Sequence, residues 1–118
     1  MERRISAAKM TTIEKVIESL CRCDAPSKEL DSAIDALLAS SNVKPVRTPE
    51  YTANLQDAWN LMSKLAPEEI VGLSWGGGEP AFAKVGDARP VQSTLPTTAL
   101  CAAALLHLRR QRIYAERP

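Results

Sequence analysis

Two short apolar runs separated by glycines decide the fold: EIVGLSW at residues 69–75, GGG at 76–78 and AFAKV at 81–85. Both runs are rich in residues typical of strands. Glycines between two such runs indicate a β-hairpin, whose loop we expect Glu79 and Pro80 to lengthen. Gly86-Asp87 marks a further turn, and Pro90–Thr94 has the character of a third strand at the sheet edge, since proline cannot donate a ladder hydrogen bond. The sequence therefore predicts a small antiparallel sheet of two or three strands.

Helical patterns surround this sheet region in the sequence. Four stretches have apolar residues at helical spacing, each with a start signal. With the expected capping residues in parentheses, they are 11–23 (Thr11 with Glu14), 28–39 (Ser27), Leu55–Leu65 (Asn54) and 97–112 (Ser93 or Thr94). The order α-α-α-β-β-(β)-α predicts an α+β fold with helices packed on the sheet. With 118 residues, we expect a single domain over 11–112, a flexible segment at 1–10 and a tail at 113–118.

Charge and hydropathy exclude several classes of protein. Fifteen Lys and Arg against fourteen Asp and Glu give a net charge of +1, which argues against a DNA-coating protein or a polybasic membrane binder. The longest uncharged run, residues 90–108, contains Gln, Ser, Thr and His, unlike a membrane span. The first thirty residues carry scattered charges without the apolar block of a signal peptide. We therefore expect no membrane association and no nucleic-acid partner.

The core must be built mainly from small side chains. Aromatic residues make up 4% of the chain, whereas it has 17 Ala and 13 Leu. Small residues let helices approach closely. Trp59 lies on the apolar stripe of the third helix, so we expect it in the core. Trp75 ends a strand beside the glycines, so we expect it at the surface.

The sequence shows no metal site and no catalytic motif. Cys21, Cys23, Cys101 and the single histidine, His107, have no zinc-finger spacing, so we expect the thiols to fill apolar gaps and predict no metal and no cofactor. The glycines do not form a phosphate-binding loop, because a second strand follows them. No nucleophile motif accompanies His107. Carboxylates such as the pair Asp31 and Asp35 are expected on solvated helix faces, and we do not expect an enzyme.

One combination of residue types suits a nucleotide ligand. Cations pair with phosphate, aromatic rings stack on bases, and glycine amides approach anions. The candidate ligand-binding residues are Lys44, Arg47, Tyr51, Trp75, Gly77 and Lys84.

Three segments in the same order resemble one group of proteins. Residues 24–34 (DAPSKELDSAI) are similar to a GPSRELDAAIA segment, 49–58 (PEYTANLQDA) to P-x-Y-T-x-S-x-D-A-A, and 94–105 (TLPTTALCAAAL) to ATPALALCAAAL. These patterns belong to small uncharacterised proteins of bacteriophages and prophages related to the phage α/β/α-sandwich domain family. The resemblance covers about residues 13–110, and Asn54 stands where the pattern has a Ser.

The resemblance implies a phage-encoded accessory protein in the host bacterial cytoplasm and no particular chemistry. Two kinds of partner fit such a protein. The first is a small anionic signal, such as a cyclic nucleotide of a bacterial defence system, which it would sequester without cleavage as a homo-oligomer. The alternative is a host protein, which it would inhibit by direct binding.

Overall fold

The computed structural model describes residues 13–38, 49–76 and 79–116. Helix α1 covers residues 13–22. The later elements are α2 (Lys28–Leu38), α3 (Leu55–Leu65), β1 (Val71–Gly76), β2 (Glu79–Val85), β3 (Val91–Ser93) and α4 (Pro96–Glu116). The order α-α-α-β-β-β-α and the antiparallel sheet β1-β2-β3 confirm the predicted α+β class.

Glu79 and Pro80 belong to β2 and do not lengthen the hairpin loop as expected. Ser74 pairs with Phe82 and Gly76 with Glu79, so one residue of β1 lies opposite two residues of β2. Pro80 is one of those two. A β-bulge is one of the few places where a strand tolerates proline, because the bulged residue leaves the hydrogen-bond ladder.

Helix α4 is the centre of the molecule. Residues 97–105 are all buried, and they include the alanines at 99 and 102–104. The sheet packs on one side of α4, chiefly through β2 and β3, and α3 packs against it elsewhere. A helix that is apolar on every side is stable only when it is enclosed, and the small alanines allow the close approach that encloses it.

Helix α1 lies antiparallel to α4. Ser93 Oγ, just before α4, donates to Leu20 O at 2.8 Å. At the other end, Arg109 of α4 forms an ion pair with Glu14 of α1 at 2.8 Å. The predicted cap at Ser93 or Thr94 is therefore wrong, since the Ser93 hydroxyl is used in this contact and the helix begins only at Pro96. The helix itself starts one residue before the predicted 97 and continues to Glu116, beyond the predicted 112.

Two expected environments are wrong. Trp59 is 43% exposed rather than in the core. The buried face of α3 is formed by Ala58, Leu61 and Met62, and Ala58 is fully buried, so the helix packs too closely there for an indole. Asp31 was expected on a solvated face, but it is only 5% exposed because its carboxylate accepts hydrogen bonds inside the protein.

Candidate ligand-binding face of the sheet

One face of the sheet is not covered by any helix within the described part of the chain. Along β2, Ala81, Ala83 and Val85 are buried against α4, whereas Phe82 and Lys84 between them point to solvent. Their cross-strand partners are also exposed: Gly72 opposite Lys84, and Ser74 and Gln92 on either side of Phe82. We call Gly72, Ser74, Phe82, Lys84 and Gln92 the outer face.

Two aromatic side chains are exposed on this hairpin. Phe82 is 42% exposed at the middle of the outer face, and Trp75 is 57% exposed at the hairpin end. Trp75 directly follows Ser74, the partner of Phe82, and lies opposite the bulge in β2. The predicted surface position of Trp75 is confirmed. Because successive side chains of a strand point to opposite faces, Trp75 lies on the same face of β1 as Val71 and Leu73, whereas Phe82 lies on the outer face.

Sequence reasoning did not select Phe82 as a site residue. The signal was present in the run Ala81–Val85, where strict alternation of side chains places Phe82 and Lys84 on one face. What the pattern does not show is which face the helices cover. Alanine and valine fill the covered face because α4 lies close to it.

Tyr51, another predicted site residue, is buried in the helical part of the protein. It belongs to a turn before α3, and its main-chain oxygen accepts from Cys101 Sγ at 3.5 Å. Burial, and next the Asp35 carboxylate, raise the pKa of the Tyr51 phenol from 10.0 to about 12. The ring is thus a neutral core group and is not presented on the outer face. Lys44, Arg47 and Gly77 lie outside the described residues, so their roles stay predictions.

Charged cavities adjoin the other end of the outer face. A cavity of about 440 Å³ is lined by Lys84, Gly72 and three carboxylate residues, Glu68, Glu69 and Asp87. Three carboxylates against one ammonium group repel phosphate. A phosphate paired with Lys84 would therefore have to lie towards Phe82, away from this cavity.

Asp87 also lines two smaller cavities beside α4. One, of about 150 Å³, contains Glu69, His107 and Arg110, and the other, of about 310 Å³, contains Arg109 and Arg110. His107 is half-buried there. Neither lining includes a Ser, Thr or Cys. Among the described residues, no three His, Cys, Asp or Glu side chains are placed so that they could hold one metal ion, although several line the same cavity.

A buried polar network joins the three segments that carry the family resemblance. Thr52 Oγ1 accepts from Ser27 N at 2.8 Å and lies 2.9 Å from Asp31 Oδ1, which also accepts from Thr52 N at 2.8 Å. Thr97 Oγ1 donates to Thr52 O at 2.7 Å. Every described partner in this network is another part of the same chain. Ser27, Asp31, Thr52 and Thr97 therefore have a structural explanation.

The chain matches no family model, no curated protein and no solved structure in the three comparisons. The resemblance to phage proteins accordingly stays a prediction from the sequence. None of the helices within the described residues combines the length and the apolar character needed to cross a membrane.

Proposed function

We propose that this protein binds and sequesters a small anionic nucleotide, without cleaving it, on the outer face of its sheet. The observation that carries the proposal is the exposure of Phe82 beside Lys84 in the middle of the uncovered face. A large aromatic side chain that no part of the described chain covers is available to stack on a ligand.

Each group has a defined part in the proposal. Phe82 stacks on a base, a contact worth about 1–3 kcal/mol. Trp75, the stacking residue predicted from the sequence, lies on the other face of the hairpin and is given no base contact here. Lys84 pairs with a phosphate. Phe82 and Lys84 are two residues apart on one strand face, which separates them by about 7 Å. That separation is comparable to the distance between the base and the phosphate of one nucleotide.

The biological part of the proposal is supported by the sequence resemblance alone. In this proposal the protein is a phage-encoded accessory protein of the host bacterial cytoplasm, and it removes a cyclic nucleotide signal that a bacterial defence system makes. Arg47, which the sequence predicts as a second phosphate contact, belongs to this proposal as well.

The test is calorimetric titration with cyclic mono-, di- and trinucleotides and cyclic ADP-ribose isomers. One of them should bind and be recovered intact after the protein is denatured. Phe82→Ala should weaken that binding about 5- to 150-fold, as the loss of a stacking contact implies.

Trp59→Ala provides the matched control. Trp59 is also an exposed aromatic residue, but it lies on α3, which does not contact the sheet. Its removal should leave nucleotide binding unchanged. If Trp59→Ala weakens binding as much as Phe82→Ala does, the nucleotide is not on the outer face.

A host protein is the second candidate partner, favoured by a specific observation. Ile70 is 87% exposed immediately before β1, so apolar surface continues beyond the outer face. If none of the nucleotides binds, immobilised wild-type protein should capture a defined host protein that the Phe82→Ala variant fails to retain. Capture of the same proteins by both would exclude the outer face as the docking surface.

A further inference from the structure

We infer that β1 pairs with β1 of a second copy of this chain, joining two sheets into one of six strands. This inference concerns the strand edge rather than the outer face, and it holds whether or not the outer face binds a nucleotide.

The first observation is the direction of the main-chain groups of β1. Gly86 N donates to Ile70 O at 2.8 Å, so Ile70 and Gly86 form a hydrogen-bonded pair. The next pair along the ladder, Val71 and Val85, is then a non-hydrogen-bonded one. Hydrogen-bonded pairs alternate along an antiparallel ladder. The N–H and C=O groups of Val71 and Leu73 therefore point away from β2, to an edge where the described residues provide no strand.

The second observation is a gradient of burial across the sheet. Inward-facing residues of β2 and β3, such as Ala83 and Val91, are buried, but Val71 and Leu73 of β1 are only half-buried. Helix α4 packs chiefly on β2 and β3 and least on β1. The apolar layer is thus incomplete on the side where a further strand would lie.

The third observation is the lack of protection at this edge. Natural edge strands usually carry charged residues or proline, or are very short. Strand β3 has only three residues and follows Pro90. Strand β1 has six, and the sequence from residue 70 to 78 contains no charge and no proline.

A second copy of the chain fits this edge better than a foreign peptide, because β1 is complementary to itself. Antiparallel pairing centred on Leu73 sets Leu73 beside its own duplicate and Val71 opposite Trp75 of the second copy. Both are apolar pairs, and the second joins an aromatic with a β-branched residue, a favourable cross-strand combination. The symmetry duplicates every residue near the axis, so a charged strand would repel itself, and β1 has no charge. The register also uses the outward-pointing groups of Val71 and Leu73.

In this register Gly72 of one copy lies opposite Ser74 of the other, on the outer face. An added Cβ at Gly72 meets no atom within 4 Å, so substitutions there should fold normally. The variant combining Gly72→Glu with Ser74→Glu places like charges opposite each other across the dimer. The control combining Gly72→Glu with Ser74→Lys places opposite charges there.

The experiment is sedimentation equilibrium without nucleotide, over a dilution series up to millimolar protein. We expect the wild type to reach twice the 12.8 kDa chain mass at high concentration. The like-charged variant should dissociate at least tenfold more readily than the control. A wild type that is monomeric throughout, or variants that dimerise equally, would overturn the inference.

Amide hydrogen exchange of the wild type provides a second measurement that needs no variant. Exchange at Val71 and Leu73 should slow as the protein concentration rises, since only the dimer engages these amides. Protection that is the same at every concentration would instead show pairing within one chain and would refute the dimer. Because neither measurement includes a nucleotide, their failure is distinct from failure of the proposed function.

Discussion

Replacing Thr52 with Val tests the buried polar network. The two side chains have nearly the same shape, so the substitution removes the hydroxyl and little else. Thr52 is fully buried, and its hydroxyl contacts three polar groups: it accepts from Ser27 N and lies within hydrogen-bonding distance of Ser27 O and of the Asp31 carboxylate.

The expected cost follows from the groups left without a partner. An unsatisfied buried amide costs about 1–3 kcal/mol, and a hydrogen bond to a charged group contributes about 1.5–3 kcal/mol. Asp31 keeps its bond from Thr52 N, and Ser27 is only half-buried, so the lower part of the range applies. We expect a loss of about 3 kcal/mol from a total stability of about 5–15 kcal/mol. For a domain of this length, the corresponding fall in Tm is roughly 10–15 °C.

Thermal and urea unfolding followed by circular dichroism measure this loss. Thr52→Ser is the matched control, because it keeps the hydroxyl and removes one methyl group, a change of about 1 kcal/mol. If Thr52→Val is no less stable than Thr52→Ser, the network does not stabilise the fold and the reasoning is refuted.

Two further predictions concern stability. Gly86 has φ +58° in the turn between β2 and β3, and a Cβ there would meet the Glu69 carboxylate, so Gly86→Ala should cost about 1–3 kcal/mol in urea unfolding. Gly72→Ala, in open space, should be neutral or slightly stabilising, and equal losses at the two positions would contradict this account. The free energy of unfolding should fall as pH rises from about 10 to 12, since the unfolded chain ionises Tyr51 at its ordinary pKa of 10.0 and the folded chain only at about 12. Tyr51→Phe should decline less than wild type in urea titrations across that window, and an identical decline would show that another group is responsible.

Local signals explain what the sequence predicted correctly. Helix α3 has the predicted bounds Leu55–Leu65, and Asn54 Oδ1 accepts from Asp57 N at 3.1 Å as its cap. Ser27 Oγ accepts from Leu30 N at the start of α2 in the same way. Capping and period-two alternation depend on neighbours in sequence, so they can be read without the tertiary structure.

The environments that sequence reasoning missed depend on distant parts of the chain. Trp59 lies on the predicted apolar stripe, yet the close packing at Ala58 leaves it at the surface. Asp31 has the spacing of a solvated residue, but Thr52, 21 positions away, supplies its hydrogen bonds. Phe82 is uncovered because α4 packs on the opposite face of its strand. Each case required knowledge of which face a helix or strand buries.

A fluorescence titration tests most directly whether a nucleotide stacks on the outer face. The protein has two tryptophans, so combining Trp59→Phe, Trp75→Phe and Phe82→Trp leaves a single indole, placed on the outer face. We would titrate this variant with the cyclic nucleotide panel and follow tryptophan fluorescence, with Trp59→Phe alone, whose single indole is Trp75, as the comparison. We expect one nucleotide to quench the outer-face indole saturably at the concentration where calorimetry detects binding, and to quench Trp75 less. Calorimetric binding without quenching of the outer-face indole, or no binding by any nucleotide, would show that no nucleotide stacks there.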